Sequence, residues 1–214
     1  MKKIGIIGSG VVAKSLGNGF LKHGYEVMLG TRNASKLDDW LANTEGKGHV
    51  GSFTDAAKFG KIVVLAVKGN VAANAIEEAG PQNLQWKTVI DTTNPIANAA
   101  PENGVLKFFT NLDESLMEQL QLRFPEIHFV KSFSCVGNAY MVDPPFAVKP
   151  SMFICGNNDD AKKKVHHILE EFGWAVEDMG KDTAARAIEP LCMLWCIPGM
   201  QHGKWNHAFR LIRS

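Results

Sequence analysis

The sequence predicts an α/β protein with a doubly wound, mostly parallel sheet and a smaller strand-helix portion at the carboxyl-terminal end. Three observations predict this fold class. A glycine-rich turn joins a short apolar run to an amphipathic run near the amino terminus. Residues 61–67 are almost wholly apolar, which is typical of a parallel strand covered on both faces. The 214 residues, 45% of them hydrophobic, suffice for one large domain or a domain with a small appendage.

The first predicted unit, residues 3–32, reads as strand, turn, helix and strand. The apolar residues 4–7 lead into the Gly-x-Gly-x-x-Ala pattern Gly8-Ser9-Gly10-Val11-Val12-Ala13. Gly8 permits the tight turn, Gly10 lets a pyrophosphate approach the backbone, and Ala13 keeps the helix close to the strand. The helix starting near Val11 would direct free amides at the phosphates. The pattern therefore predicts a Rossmann-type dinucleotide site, with an ordinary turn that holds no ligand as the alternative.

The end of the second strand, which we expect at residues 26–29, indicates which dinucleotide binds. NAD sites usually carry Asp or Glu about 20 residues after the glycines, whereas this chain has Thr31-Arg32-Asn33. Arg32 offers a planar charged fork that suits a phosphate, and Thr31 and Asn33 add hydrogen-bonding groups. Lys36 is near enough to assist. The sequence therefore favours NADP, although a solvated arginine and a surface lysine are the simpler interpretations of Arg32 and Lys36.

Further elements follow in order through the middle of the chain. The predicted helices are 34–43, with Leu37, Trp40 and Leu41 on one face, then 56–59, capped by Thr54-Asp55, and 71–79, ended by Pro81. The predicted strands are 49–53, 61–67 and 88–91. Ligands of open α/β sheets lie past the carboxyl ends of strands, so Ala66, Val67 and Lys68 should face the cofactor.

In the second half we expect strands at 127–131, 151–155 and 174–178. A helix is predicted at 112–124, with Leu112, Leu116, Met117 and Leu120 inward. Another is capped by Asn158-Asp159, and a helical segment from Ala184 should be broken by Pro190 and again by Pro198-Gly199. The proline-rich loop 143–150 is the best boundary, which suggests a cofactor domain of residues 1–138 and an extension of residues 139–214 that completes the acceptor pocket.

Composition argues against several classes of function. The net charge of +1 gives no reason to expect nucleic acid. The apolar run after Lys2-Lys3 is too short for a signal peptide, and no run reaches a membrane span, so we expect a cytoplasmic protein. The four cysteines form no Cys-x-x-Cys pair, and we expect no metal site. A homodimer is left open.

Several motifs stand together in the order seen in one family. They are residues 4–13, Gly30-Thr31-Arg32-Asn33, Asp91-Thr92-Thr93-Asn94-Pro95-Ile96, residues 130–137 and residues 185–191. Across nearly its whole length the chain resembles the deazaflavin-dependent NADP reductases, whose electron partner is coenzyme F420. It is also similar to the cytosolic reductase domain of the STEAP metalloreductases, although the sequence ends at Ser214, where their membrane spans would begin.

The resemblance implies a role for each motif. Gly8, Ser9, Gly10, Val11 and Val12 would hold the pyrophosphate, and Thr31, Arg32 and Asn33 the 2′-phosphate. Ala66, Val67, Lys68, Asn94, Pro95 and Ile96 would border the ribose and nicotinamide. The chain departs from the archaeal reductases at Ser134-Cys135, where they typically have Asn-Thr. That loop follows a strand end, so we expect Ser134, Cys135 and Gly137 to contact the acceptor.

The leading hypothesis is an NADPH-dependent oxidoreductase that passes hydride to a flavin or deazaflavin. One alternative is a reductase of a small imine or carbonyl, similar to the pyrroline-carboxylate reductases. That reaction needs a proton donor, for which His202, Lys204 and His207 are candidates by residue type alone, and the sequence identifies no catalytic residue. The other alternative is a non-catalytic NADPH-binding sensor.

Overall fold

The computed structural model describes residues 2–213, so Met1 and Ser214 lie outside the described range. Six parallel strands form the main sheet in the order β3-β2-β1-β4-β5-β6. They are Lys3–Ile7 (β1), Glu26–Gly30 (β2), Gly48–Gly51 (β3), Ile62–Leu65 (β4), Thr88–Asp91 (β5) and His128–Lys131 (β6). The order reverses between β1 and β4, which opens a crevice at their carboxyl ends. The predicted doubly wound fold is confirmed.

Helices cover both faces of this sheet. They are Val11–Lys22 (α1), Asp38–Ala42 (α2), Phe53–Phe59 (α3), Ala72–Ala79 (α4), Leu116–Arg123 (α5), Asp159–Glu171 (α6), Ala185–Ile188 (α7) and Leu191–His202 (α8). Two further strands, Ser151–Ile154 (β7) and Ala175–Asp178 (β8), pair in parallel through the crossover helix α6. The predicted smaller strand-helix portion is therefore present, while a domain boundary at residue 138 stays a prediction.

The side chains of β1 alternate between the two faces of the sheet and therefore contribute to two layers of the core. Ile4 and Ile6 pack in one buried cluster with Leu16 and Phe20 of α1. Ile7 belongs to the second cluster, on the side of α3 and α4. Because successive side chains of a strand point to opposite faces, an apolar strand fills both layers. This burial fixes the strand ends, and therefore the loops of the crevice.

Two predictions in the first half are wrong in detail. The cap of α3 is Ser52 rather than Thr54-Asp55: Ser52 Oγ accepts the Asp55 N–H at 3.1 Å, and the Asp55 carboxylate accepts the Ser52 N–H at 2.9 Å. This capping box places Phe53 in the helix, not in β3. Residues 34–37 form a 3₁₀ turn before α2, and its tighter winding rotates the later side chains. Leu41 is consequently 40% exposed instead of facing inward.

Two predictions in the second half also need correction. Helix α5 begins at Leu116 because Ser115 and Glu118 form a capping box, so Leu112 precedes the helix and is 78% exposed. Pro198 lies inside α8 and does not end it. The missing proline N–H leaves the carbonyl of Leu194 without its usual helical partner, but the helix continues to His202. The predicted break at Pro190 is confirmed, since Pro190 is the N-cap of α8.

Candidate active site

A cleft of about 620 Å³ lies at the carboxyl ends of β1, β2 and β4. It brings together every residue predicted for the two phosphate groups, as well as the end of β4. Its predicted members are Gly8, Ser9, Gly10, Val11, Val12, Thr31, Arg32, Asn33, Lys36, Ala66, Val67 and Lys68. Phe53, Val71 and Thr92 also line the cleft and were not predicted. The volume is in the range of small-molecule and cofactor pockets.

The glycine turn leaves the start of α1 free for an anion. Gly10 is the N-cap of α1, and no side chain caps the first amides. No heavy atom lies within 4 Å of where a Cβ at residue 10 would be, so the backbone borders open space. Gly8 has a φ of +142°, and a Cβ there would lie 2.2 Å from the Ala66 carbonyl oxygen. Unpaired amides and the helix dipole make this end suited to a pyrophosphate.

Polar groups after β2 form a connected turn. The Asn33 N–H donates to Thr31 Oγ1 at 3.1 Å, and Thr31 Oγ1 lies 3.2 Å from Ser9 Oγ. Asn33 Oδ1 accepts hydrogen bonds from the N–H and the hydroxyl of Ser35, at 3.2 and 2.7 Å. This arrangement links the turn to the glycine loop. Ser35 was missed because nothing in the local sequence distinguishes it from a surface serine.

Three cations surround this turn. The Arg32 side chain is 74% exposed, and its Nη1 lies 4.0 Å from Glu78 Oε1. Lys36 lines the cleft, and Lys14 Nζ donates to the Lys36 carbonyl at 3.1 Å. Arg32 is therefore held only loosely by protein contacts and can turn towards a ligand phosphate.

A second cavity of about 250 Å³ adjoins the cleft and shares Val67, Lys68 and Thr92 with it. The remaining lining residues are Gly69, Asn70, Asn94, Ile96, Ala97 and Asn98. The loops after β4 and β5 approach closely here, since a Cβ at Gly69 would lie 2.1 Å from the Asn94 carbonyl oxygen. Asn94 and Ile96 line this second cavity and not the larger cleft, and Pro95 is buried and outside both linings. A place for these three residues beside the ribose and nicotinamide stays a prediction.

The predicted acceptor residues lie apart from both linings. Ser134 and Cys135 are buried, and Cys135 Sγ is 3.9 Å from Met152 Sδ. Burial raises the pKa of the Cys135 thiol to about 11. Gly137 packs against Trp195, so that a Cβ there would lie 2.4 Å from Trp195 Cη2. An acceptor role for these three residues stays a prediction.

The predicted proton-donor candidates belong to the carboxyl-terminal segment and lie outside both linings. His202 and Lys204 are exposed. The His207 ring stacks on Trp195 with 5.1 Å between centroids, and His207 Nε2 donates to the Trp195 carbonyl at 2.9 Å. Trp195 also packs against Trp205 at 5.4 Å. The aromatic residues of this segment thus serve largely to pack it against the protein.

Comparison with known proteins connects this geometry to a family. The profile described as NADP oxidoreductase, coenzyme F420-dependent, matches residues 3–95. A crystal structure from Arthrobacter sp. FB24, provisionally named an F420-dependent NADP reductase, is 30% identical, has a TM-score of 0.90 and is matched over 100% of both chains. This chain belongs to the coenzyme F420-dependent NADP oxidoreductase family. The family predicted from the motifs is confirmed, and NADP is the cofactor of that family.

Two curated proteins are similar to this chain over most of its length. The F420-dependent NADP reductase of Methanocaldococcus jannaschii is 28% identical over 141 residues, which are 65% of this chain and 62% of the relative. Metalloreductase STEAP3 of Rattus norvegicus is 26% identical over 200 residues, which are 92% of this chain and 38% of the relative. The chain therefore spans little more than a third of STEAP3.

Within residues 2–213, no helix combines the length and apolar composition needed to cross a bilayer. The same residues contain no group of three or more His, Cys, Asp or Glu side chains arranged to hold a metal ion.

Proposed function

We propose that this protein transfers hydride between NADP(H) and a flavin or deazaflavin acceptor. The observation that carries the proposal is the pair of adjoining cavities that share Val67, Lys68 and Thr92. The larger cleft has the size and the polar groups for a dinucleotide. The smaller cavity lies beside the place where we expect the nicotinamide of that dinucleotide. Two ring systems bound in this way would meet at the shared residues, which is what direct hydride transfer requires.

The larger cleft offers binding groups for both the pyrophosphate and the 2′-phosphate of NADP. The free amides at the start of α1 would hold the pyrophosphate, and Arg32 and Lys36 would face the 2′-phosphate. The nicotinamide ring, when bound, supplies or accepts the hydride. The contribution of the chain is to hold that ring at the shared residues and to exclude water around it.

The second cavity offers groups suited to a flat heterocycle. Ile96 and Ala97 supply apolar surface, while Asn94, Asn98 and Lys68 supply polar contacts. Asn94 Oδ1 is buried and has no hydrogen-bond partner within residues 2–213. Flavin and deazaflavin rings carry an imide N–H, and this oxygen is an acceptor for such a donor. Hydride transfer between two rings needs stacking and distance more than a proton donor, and neither lining contains a histidine.

The test is anaerobic NADPH oxidation, followed at 340 nm, with a deazaflavin, a flavin or a cyclic imine as acceptor. We expect turnover with a ring acceptor and little with the imine. Asn94→Ala should lower kcat/KM for the ring acceptor about tenfold, because a hydrogen bond of about 1.4 kcal/mol corresponds to a factor of ten. Asn157→Ala, which lies outside both linings, is the control. Turnover with the imine alone would instead support a small-substrate reductase, and binding without any turnover would support an NADPH sensor.

A further inference from the structure

A fully buried lysine lies at the carboxyl end of β6, next to the end of β5. Lys131 Nζ is 2.7 Å from Asp91 Oδ2 and 2.9 Å from Glu189 Oε1. It also donates to the carbonyl oxygen of Thr93 at 2.8 Å. The ammonium group thus lies among three oxygen atoms, one of them a backbone carbonyl in the loop that borders both cavities.

Both carboxylates in this network also accept hydrogen bonds from groups other than Lys131. Glu189 accepts the N–H groups of Leu116 and Met117, each at 3.0 Å, at the start of α5. Burial alone would lower the pKa of Lys131, but the adjacent carboxylates of Asp91 and Glu189 outweigh it and raise the pKa above its usual range. Lys131 is therefore charged, in a group of one cation and two anions that excludes water.

Burying such a group is costly, and a well-packed apolar cluster would stabilise the fold as well or better. The network therefore calls for an explanation beyond stability. Its contacts converge on one residue of the β5 loop. The Thr93 N–H and hydroxyl donate to Asp91 Oδ1 at 2.9 and 2.7 Å, and the Thr93 carbonyl accepts from Lys131.

Thr93 lies between the two residues of this loop that face the ligands. Thr92 lines both cavities, and Asn94 lines the second. In a trans peptide the carbonyl and the next N–H point in opposite directions. Since the Thr93 carbonyl faces Lys131, the Asn94 N–H faces away from it. The network therefore fixes the direction of the Asn94 backbone as well as the position of Thr92.

We propose that Lys131 is a positioning residue for hydride transfer, and that Asp91 and Glu189 hold it so that Thr92 and Asn94 keep the two rings at reacting distance. The effect on rate rests on the proposed function, whereas the effect on loop order does not. Lys131 itself touches neither cavity lining, so its influence passes through Thr93.

The test uses Asp91→Asn and Glu189→Gln, which keep the side-chain size and remove one charge each. Lys131→Met is avoided because two unpaired buried carboxylates would threaten folding. Glu118→Gln is the matched control: Glu118 is also at the start of α5, where it pairs with Arg186 and has no contact with Lys131. We expect kcat to fall about tenfold to a hundredfold in the two network variants, since small misplacements cost that much. The dissociation constant of NADPH should stay within about threefold, and the control should change neither quantity.

Hydrogen exchange of peptides covering residues 92–98 is the second measurement, and it needs no acceptor. Faster exchange there in Asp91→Asn and Glu189→Gln, but not in Glu118→Gln, supports the inference even if the wild type transfers no hydride. A wild type that transfers no hydride would overturn only the proposed function. Unchanged exchange, a weakened NADPH affinity with intact kcat, or loss of folding in both network variants would overturn the inference and make the network purely structural.

Discussion

The choice between NADP and NAD is expected to depend on Arg32, and Arg32→Ala tests this directly. The side chain is at the rim of the cleft, with Asn33 and Lys36 beside it. Its protein contact is a distant one, 4.0 Å from Glu78. Removing it therefore takes little from the fold, and any loss of affinity can be assigned to the ligand phosphate.

The size of the effect follows from the exposure of the side chain. A hydrogen bond to a charged group contributes about 1.5–3 kcal/mol. Because the Arg32 side chain is 74% exposed, solvent screens it, and the lower end of that range applies. About 1.5 kcal/mol corresponds to a loss in NADPH affinity of roughly tenfold. NADH lacks the 2′-phosphate, so its affinity should change by less than about twofold.

The assay is fluorescence titration of both reduced cofactors at two salt concentrations. Arg123→Ala is the matched control, since Arg123 is also an exposed arginine paired with a glutamate of α4, Glu77, and lies outside the cleft. Glu78→Gln should act in the opposite direction and raise NADPH affinity about twofold, because it removes a carboxylate near the phosphate. Equal losses for NADPH and NADH in Arg32→Ala would refute the assignment of Arg32 to the 2′-phosphate.

Three further predictions concern the loop, the histidines and the cysteines. Gly10→Val should fold normally, because a Cβ there meets no atom within 4 Å, yet lose NADPH binding; a normal titration would show that the loop holds no phosphate. His202→Ala and His207→Ala should each keep most of the rate, although His207→Ala should lower the melting temperature; a fall of 10²–10⁴-fold in rate would indicate a lost general acid. Among the cysteines, a charged thiol reagent at pH 8 should label Cys196 first, since it alone of the four is partly exposed and the hydrogen bond with the Cys192 thiol lowers its pKa, and should leave Cys135 unmodified, since burial shields that thiol and raises its pKa to about 11. Peptide mass mapping that finds Cys135 labelled first would contradict this.

Apolar runs and glycine spacing were sufficient to predict the main sheet. The nearly continuous apolar run 61–67 predicts a strand and contains β4, Ile62–Leu65, because a parallel strand is buried on both faces. Helix starts were less accurate where the cap was overlooked. Ser115-x-x-Glu118 and Ser52-x-x-Asp55 are local patterns that would have given the correct starts of α5 and α3.

The cofactor side of the site was more predictable than the acceptor side. The phosphate-binding residues are close in sequence and follow from one turn and one strand end. The network of Asp91, Lys131 and Glu189 joins three distant segments, and no local spacing indicates that they meet. Thr92 and Phe53 were missed for a similar reason, since their place in the cleft depends on how neighbouring strands end.

The pairing of Trp195 with His207 docks the carboxyl-terminal segment through two reciprocal hydrogen bonds. Trp195 Nε1 donates to the His207 carbonyl at 2.9 Å, and His207 Nε2 lies 2.9 Å from the Trp195 carbonyl. A carbonyl only accepts, so Nε2 carries the hydrogen and the neutral ring is the Nε2–H tautomer. The two reciprocal hydrogen bonds therefore tie residue 207 to α8 in a closed ring, so that the chain after α8 is held back against the helix it has just left.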